Sequence, residues 1–457
     1  MRKHRRVVLC LLVVLLSVLP LEQTRAARKP NIVILVADDL GYADVGFHGC
    51  TDIPTPNVDA LARGGVRFTS GYVTGPYCSP TRAGLLTGRY QQRFGHEFNP
   101  SLQESRVSGA GLPLSETTLA ERLKAAGYRT AMFGKWHLGA RDNQHPLSRG
   151  FEEFYGFLSG EHSYLEPTEE PESHVLEGRT PVSSMKYMTE EIADRAESFI
   201  KRQQAQPFFL YLPFNAVHTP MQATEKYLKR FEQIADPKRR TYAAMLSAMD
   251  DAVGRVMAAL RAAKLEEDTL IFFFSDNGGP TMPTTTVNAS INRPLRGSKR
   301  QTYEGGIRVP FVIHWKGRLP AGKTFAQPVI QLDVLPTVLA AAGVAVKPEW
   351  KLDGVNLMPF LTGKQKGVPH ETLYWRMGGM MAVRRGDWKL VKTREGRLET
   401  NVETLNDLSD AALYNLAQDI GEQNDLAAKH PEKVKELSAV WRQWNQQLAM
   451  PLWGMRK

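Results

Sequence analysis

Three runs that are apolar at nearly every position constrain this fold most: NIVILVA (31–37), PFFLYLPF (207–214) and TLIFFF (269–274). Runs of this kind suit strands covered on both faces, the condition of a parallel sheet between two helical layers. Helical patterns alternate with them in NVDALARGG, in TLAERLKAAG ahead of YRTAMFGK, and in RRTYAAMLSAMDDAVGRVMAALRAA. The alternation predicts an α/β fold, a large mixed and mostly parallel sheet sandwiched by helices. With 457 residues, 42% of them hydrophobic, the chain can fill such a core. Polar residues follow the strand-like runs: Asp38 and Asp39, Lys135 and His137, His218, then Asp276 and Asn277. In open sheets of this class the ligand crevice lies outside the carboxyl ends of the strands. Four distant segments are therefore expected to converge.

Beyond about residue 365 the pattern changes. TLYWRMGGMMAVRRGDWKLVKT reads as two antiparallel strands, ALYNLAQDIGEQNDLA as a further strand and turn, and PEKVKELSAVWRQWNQQLA as a terminal helix. This predicts a smaller C-terminal α+β subdomain over 366–457, packed on a larger domain over 27–365. The first 26 residues read as a signal peptide, with a basic MRKHRR, an apolar VVLCLLVVLLSVLPL and cleavage near Ala26. The apolar run is short for a span and Pro20 interrupts it, so no stable membrane insertion is expected and the chain is expected to be exported, periplasmic or extracellular. Residues 1–26 carry five Lys/Arg and one Asp/Glu, so their loss takes the formal charge from +10 to +6. That excess suits an anionic substrate without specifying one. No basic run is interleaved with aromatics, and nucleic acid is not an expected partner.

TGPYCSPTRAGLLTGRY (74–90) carries the most chemistry. Pro80 predicts a first helical position and Ser79 an N-cap, which places Cys78 just ahead of a helix N-terminus. Such a place binds anions and can lower a thiol's pKa. The mature chain keeps Cys50 and Cys78, and an oxidising compartment permits a disulfide between them. Cys50 has no motif around it.

CSPTRAGLLTGR resembles the sulfatase signature, in which Cys-x-Pro-x-Arg is followed by Leu-x-Thr-Gly-Arg. VADDLG, GKWHLG, AVHTP, SDNGG and SKRQTYEGGIRVP are similar to other segments of that family, in the same order, and so is the later LYNLAQDIGEQNDLA. Thr81 stands where many members have serine. The resemblance implies an alkaline phosphatase-like fold and a sulfuric ester hydrolase acting on sulfate monoesters. It implies that a formylglycine-generating enzyme converts Cys78 to formylglycine, whose hydrate attacks sulfur to form a covalent sulfoenzyme. It also implies one divalent cation, Ca²⁺, held by Asp38, Asp39, Asp276, Asn277 and the modified Cys78; hard oxygen donors suit that ion. Arg82 would hold the hydrate, and Lys135 the sulfate. His137 would assist loss of a proton from the second hydroxyl, and His218 and Lys299 would bind sulfate and protonate the leaving oxygen. Asp276 is a further candidate for deprotonating the attacking hydroxyl.

The expected substrate is a sulfated small molecule or oligosaccharide, with sulfated galactose or N-acetylgalactosamine first. Rival readings are a phosphate or phosphonate ester hydrolase of the same superfamily, a non-catalytic carbohydrate-binding relative, and Cys78 as a plain thiol nucleophile. His96 and Glu97, in RFGHEFNP, read as part of a solvated loop, with pocket lining as the alternative.

Overall fold

The computed structural model describes residues 29–170, 173–203, 205–283, 285–393 and 400–454; the signal-peptide reading of 1–26 lies outside them. Four parallel strands form the centre of the sheet: β1 (Asn31–Ala37), β2 (Arg129–Lys135), β3 (Phe208–Pro213) and β4 (Thr269–Ser275), in the spatial order β4-β1-β3-β2. Glu153–Phe157 continues the parallel set beyond β2, and Phe311–His314 pairs antiparallel beyond β4. Short strands complete a ten-stranded mixed sheet among the described residues.

The alternation of strand side chains divides the core in two. Val33 and Leu35 of β1, with Phe273 of β4, face one helical layer that contains α2 (Met188–Arg202) and α3 (Pro237–Ala262). Ile32, Ile34 and Val36, with Phe272 and Phe274, face the other, which contains α1 (Cys78–Thr87). Both faces being covered, neither set of positions tolerates a polar residue, and the strands read as continuous apolar runs. No helix among the described residues is long and apolar enough to cross a membrane.

The C-terminal part is a four-stranded antiparallel sheet, Thr372–Met377, Met380–Arg385, Trp388–Lys392 and Ala412–Asn415, with helix α4 (Pro431–Asn445). The stretch expected to form two strands forms three. The missed turn is Gly386-Asp387, a two-residue hairpin in which Gly386 has φ 59°, the left-handed conformation that such turns demand. Between this sheet and the main body lies a buried ion cluster. Lys389 Nζ is 2.8 Å from both Glu304 and Glu422, and Glu304 also accepts from Tyr72 at 2.6 Å and Arg308 at 3.1 Å.

Candidate active site

The carboxyl ends of β1 and β4 bring Asp38, Asp39, Asp276 and Asn277 side by side, all fully buried. The Asp39 amide donates to Asp276 Oδ1 at 3.2 Å, and Asn277 Nδ2 donates to Asp39 Oδ1 at 2.7 Å. The glycines of SDNGG are part of this placement. A Cβ on Gly278 would lie 1.7 Å from the Gly305 carbonyl oxygen, so only glycine admits the close backbone approach there.

Three buried cations face the three carboxylates. Lys135, at the end of β2, donates to Asp38 Oδ2 at 2.5 Å, and Lys299 donates to Asp39 Oδ2 at 2.8 Å. Arg82 donates from Nε and Nη2 to Asp276 Oδ2, at 3.1 and 2.8 Å, and from Nη1 to the Lys135 carbonyl at 3.0 Å. Burial alone would raise the Asp38 carboxyl, yet Lys135, His218 and Arg82 hold it well below the usual carboxylate range. Asp276 goes the other way: burial and the neighbouring Asp38 push it up to about 6.

Cys78 lies within this ring, its Sγ 3.5 Å from Asp38 Oδ1. The residue is the unmodified thiol here, so Sγ stands where a formylglycine oxygen would be. Burial pushes the thiol up to about 12, against the pull of Lys135 and Lys299. That direction is opposite to the one expected from its place at a helix N-terminus. A protonated, buried thiol is a poor nucleophile, which disfavours the plain-thiol reading. Cys50 and Cys78 are both free, so no disulfide joins them.

The start of α1 also differs from expectation. The helix begins at Cys78, with extended Tyr77 before it and no side-chain cap from Ser79. The Ser79 amide is instead satisfied by Asn99 Oδ1 at 3.0 Å. The hydroxyl is engaged elsewhere: Ser79 Oγ is 2.6 Å from the His137 carbonyl and 2.6 Å from His96 Nε2. A carbonyl only accepts, so the hydroxyl donates to His137 and accepts a hydrogen bond from His96 Nε2–H. This fastens α1 to the turn after β2, where His137 has φ 57°.

His96 and Glu97 are fully buried, and the solvated-loop reading is corrected. Neither lines the cleft. Glu97 pairs with Arg376, and His96 packs edge-on against Trp453 at 4.7 Å. The same segment reaches the cleft through Asn99 and Pro100.

The two histidines of the site differ in which nitrogen is available. His218 Nδ1 donates to the Thr219 carbonyl at 2.7 Å, leaving Nε2 toward Asp39 Oδ2 at 3.5 Å. His137 Nε2 lies 3.3 Å from the Pro100 carbonyl, and Nδ1 is buried without a partner among the described residues. Burial lowers both imidazoles, His137 well below its ordinary value.

The oxygen donors present suit a hard cation. Asn277 Oδ1 is buried with no hydrogen-bond partner among the described residues. The Asp38 and Asp39 carboxylates lie with Cys78 Sγ and a His218 nitrogen in a group whose atoms are all within 4.8 Å of one another; Asp276, held by Arg82 and the Asp39 amide, is not in that group. Three carboxylates against three cations leave the ring near neutral, so a dication added to it would give the net positive charge that an anionic ester requires.

The chain matches the Sulfatase family over residues 30–344 and the C-terminal family of N-sulphoglucosamine sulphohydrolase over 297–449. The chain belongs to the sulfatase family. The N-acetylgalactosamine-6-sulfatase of Canis lupus familiaris is 35% identical, over 83% of this sulfatase and 74% of that protein. Arylsulfatase A of Homo sapiens is 34% identical, over 91% and 87%. The crystal structure of Ps i-CgsB in complex with k-i-k-neocarrahexaose has a TM-score of 0.85 and 34% identity, over 94% of this sulfatase and 96% of that chain. The fold is accordingly the alkaline phosphatase-like one, and the reaction class is sulfate ester hydrolysis.

All ten residues expected from the sequence stand around one site. The lining residues that were not foreseen include Tyr77, Asn99, Glu161 and Arg300. Asn99 lies within RFGHEFNP and Arg300 within SKRQTYEGGIRVP, and membership of those segments is the signal the sequence carries for them.

Proposed function

We propose that this sulfatase hydrolyses sulfate monoesters of carbohydrate, at a formylglycine made from Cys78. The observation that carries the reading is the ring of paired carboxylates and cations closed around Cys78. Formylglycine, as its hydrate, would supply two hydroxyls on one carbon, one to attack sulfur and one whose deprotonation releases sulfate. Asp38, Asp39, Asp276 and Asn277 would hold Ca²⁺ beside it, where a dication neutralises charge on the ester.

The chain's own groups then divide the work. Lys135 and Lys299 offer ammonium protons to sulfate oxygens from two sides. Lys299 faces the cleft, where the alcohol departs, and delivers the proton it needs; His218 Nε2 faces the same place and donates there only as the imidazolium, since its Nδ1–H is given to the Thr219 carbonyl. His137, with Nδ1 unpartnered, accepts the proton of the second hydroxyl. Arg82 places Asp276 and the end of β2, through three hydrogen bonds that leave its guanidinium little room to move.

A relative named for N-acetylgalactosamine 6-sulfate and a related structure holding a neocarrahexaose support a sulfated sugar, with galactose or N-acetylgalactosamine sulfates first. Export through residues 1–26 would carry the protein to such substrates. A formylglycine-generating enzyme is the partner this reading requires. It would have to reach Cys78 before the fold closes, since the residue is fully buried. The division near residue 365 is supported by the separate antiparallel sheet that follows it.

The test is a leaving-group comparison. His218→Ala and Lys299→Ala should each cost about 10²–10⁴-fold in kcat/KM, the usual loss for a positioned proton donor. The loss should be larger for a sugar sulfate, with its poor alkoxide leaving group, than for an activated aryl sulfate. Equal losses on both esters would assign the two residues to sulfate binding.

A further inference from the structure

The cleft over the site encloses about 650 Å³. That lies within the roughly 300–1,000 Å³ of small-molecule sites and exceeds what one sulfate group needs. Arg300 and Tyr77 line it beside Lys299. Arg300 has φ 71°, in the left-handed region that glycine enters without strain. The Arg300 side chain is held in place. The Arg300 amide donates to the Pro76 carbonyl at 2.7 Å, Nη2 donates to the Tyr77 hydroxyl at 2.7 Å, and the guanidinium lies 5.0 Å from the Tyr77 ring centre.

A second fixed positive charge thus stands one residue beyond Lys299, partly buried, at the side of the cleft. Two acidic residues, Glu161 and Glu104, line the same cleft. Glu104 is tied to the Ser101 amide, and the Glu161 side chain is 58% exposed. Charges of both signs therefore face a bound substrate, and beyond the sulfate at Lys299 an anionic substituent is favoured near Arg300.

We infer that Arg300 determines specificity by binding a second anionic group of the substrate, a sulfate or a carboxylate, so that the preferred ester is a doubly anionic oligosaccharide. This rests on the sulfatase reading of the same site. Lys299 meets the scissile sulfate as a point charge, whereas the planar guanidinium fork matches two oxygens of a second sulfate or carboxylate. A substrate held at both places has its ring direction fixed across the cleft.

The experiment measures kcat/KM of the full-length enzyme, Arg300→Ala and Arg300→Lys on four esters. They are an activated aryl sulfate, a monosulfated galactoside, a disulfated disaccharide and a monosulfated disaccharide bearing a uronate. Arg300→Ala should lose about 10- to 100-fold more on a doubly anionic disaccharide than on the monosulfated galactoside, through KM; that range is typical of lost hydrogen bonds to a charged group. Arg300→Lys, which keeps the charge without the fork, should fall between. A loss confined to the disulfated disaccharide assigns the second group as sulfate, and one confined to the uronate assigns it as carboxylate. Equal losses on all four esters, or no loss, would overturn the inference while leaving the sulfatase reading intact. Failure of the wild-type enzyme to turn over any of the four would overturn both.

Discussion

Cys78→Ser is expected to turn a multiple-turnover enzyme into one that reacts at most once and retains about one sulfate per active site. The serine hydroxyl would stand where Cys78 Sγ lies, 3.5 Å from Asp38 and among the same sulfate-binding cations. It can attack sulfur, but the product is a stable sulfate ester. A hydrate carries a second hydroxyl on the same carbon, whose deprotonation expels sulfate; serine has none. Release would then require water to attack sulfur, for which the site need not be arranged. Accumulation of a covalent intermediate is the fingerprint of a blocked second step. Intact-protein mass spectrometry after incubation with an activated aryl sulfate should show an added mass of roughly 80 Da, that of SO₃. Sustained turnover near the native rate would show that release does not run through a second hydroxyl.

Asp39→Asn is expected to remove bound metal and lower kcat/KM by about 10³-fold or more, since charge stabilisation by a bound cation supplies several kcal/mol. Asp39 joins three parts of the site: Asn277 at 2.7 Å, Lys299 at 2.8 Å and His218 at 3.5 Å. Its φ of 64° makes the choice of replacement important. Asparagine tolerates the left-handed region and keeps the volume, whereas alanine would add backbone strain. Either change leaves the buried Lys299 without its carboxylate, and breaking a buried pair costs about 3–5 kcal/mol. A lowered melting temperature should therefore accompany the loss of activity. Elemental analysis of the purified proteins should find about one Ca²⁺ per wild-type chain and little in the variant. Full activity and full metal content in Asp39→Asn would remove Asp39 from the site.

What the sequence made legible follows from local rules. NIVILVA and TLIFFF had to be strands because both their faces are covered, and the residues after them had to meet because parallel neighbours end at the same edge. Asp38, Asp39, Asp276 and Asn277 could thus be grouped before any coordinates. The rest depended on contacts between distant parts of the chain. His96 and Glu97 are buried by Trp453 and Arg376, the second of them 279 residues away, and nothing local to RFGHEFNP announces either. The helix begins at Cys78 because Asn99 satisfies the Ser79 amide, which frees the Ser79 hydroxyl for His137. The left-handed turns at Asp39, His137 and Arg300 are likewise invisible in composition, since non-glycine residues there carry no signal of the strain that the surrounding fold imposes.

The most direct measurement is the mass of the peptide that contains Cys78, taken from protein of known specific activity on a sulfated galactoside. Formylglycine at this position predicts a peptide about 18 Da lighter than the cysteine form, the net replacement of CH₂SH by CHO. The modified fraction should rise in proportion to specific activity across preparations. Fully active protein with an unmodified Cys78 would contradict formylglycine catalysis at this site.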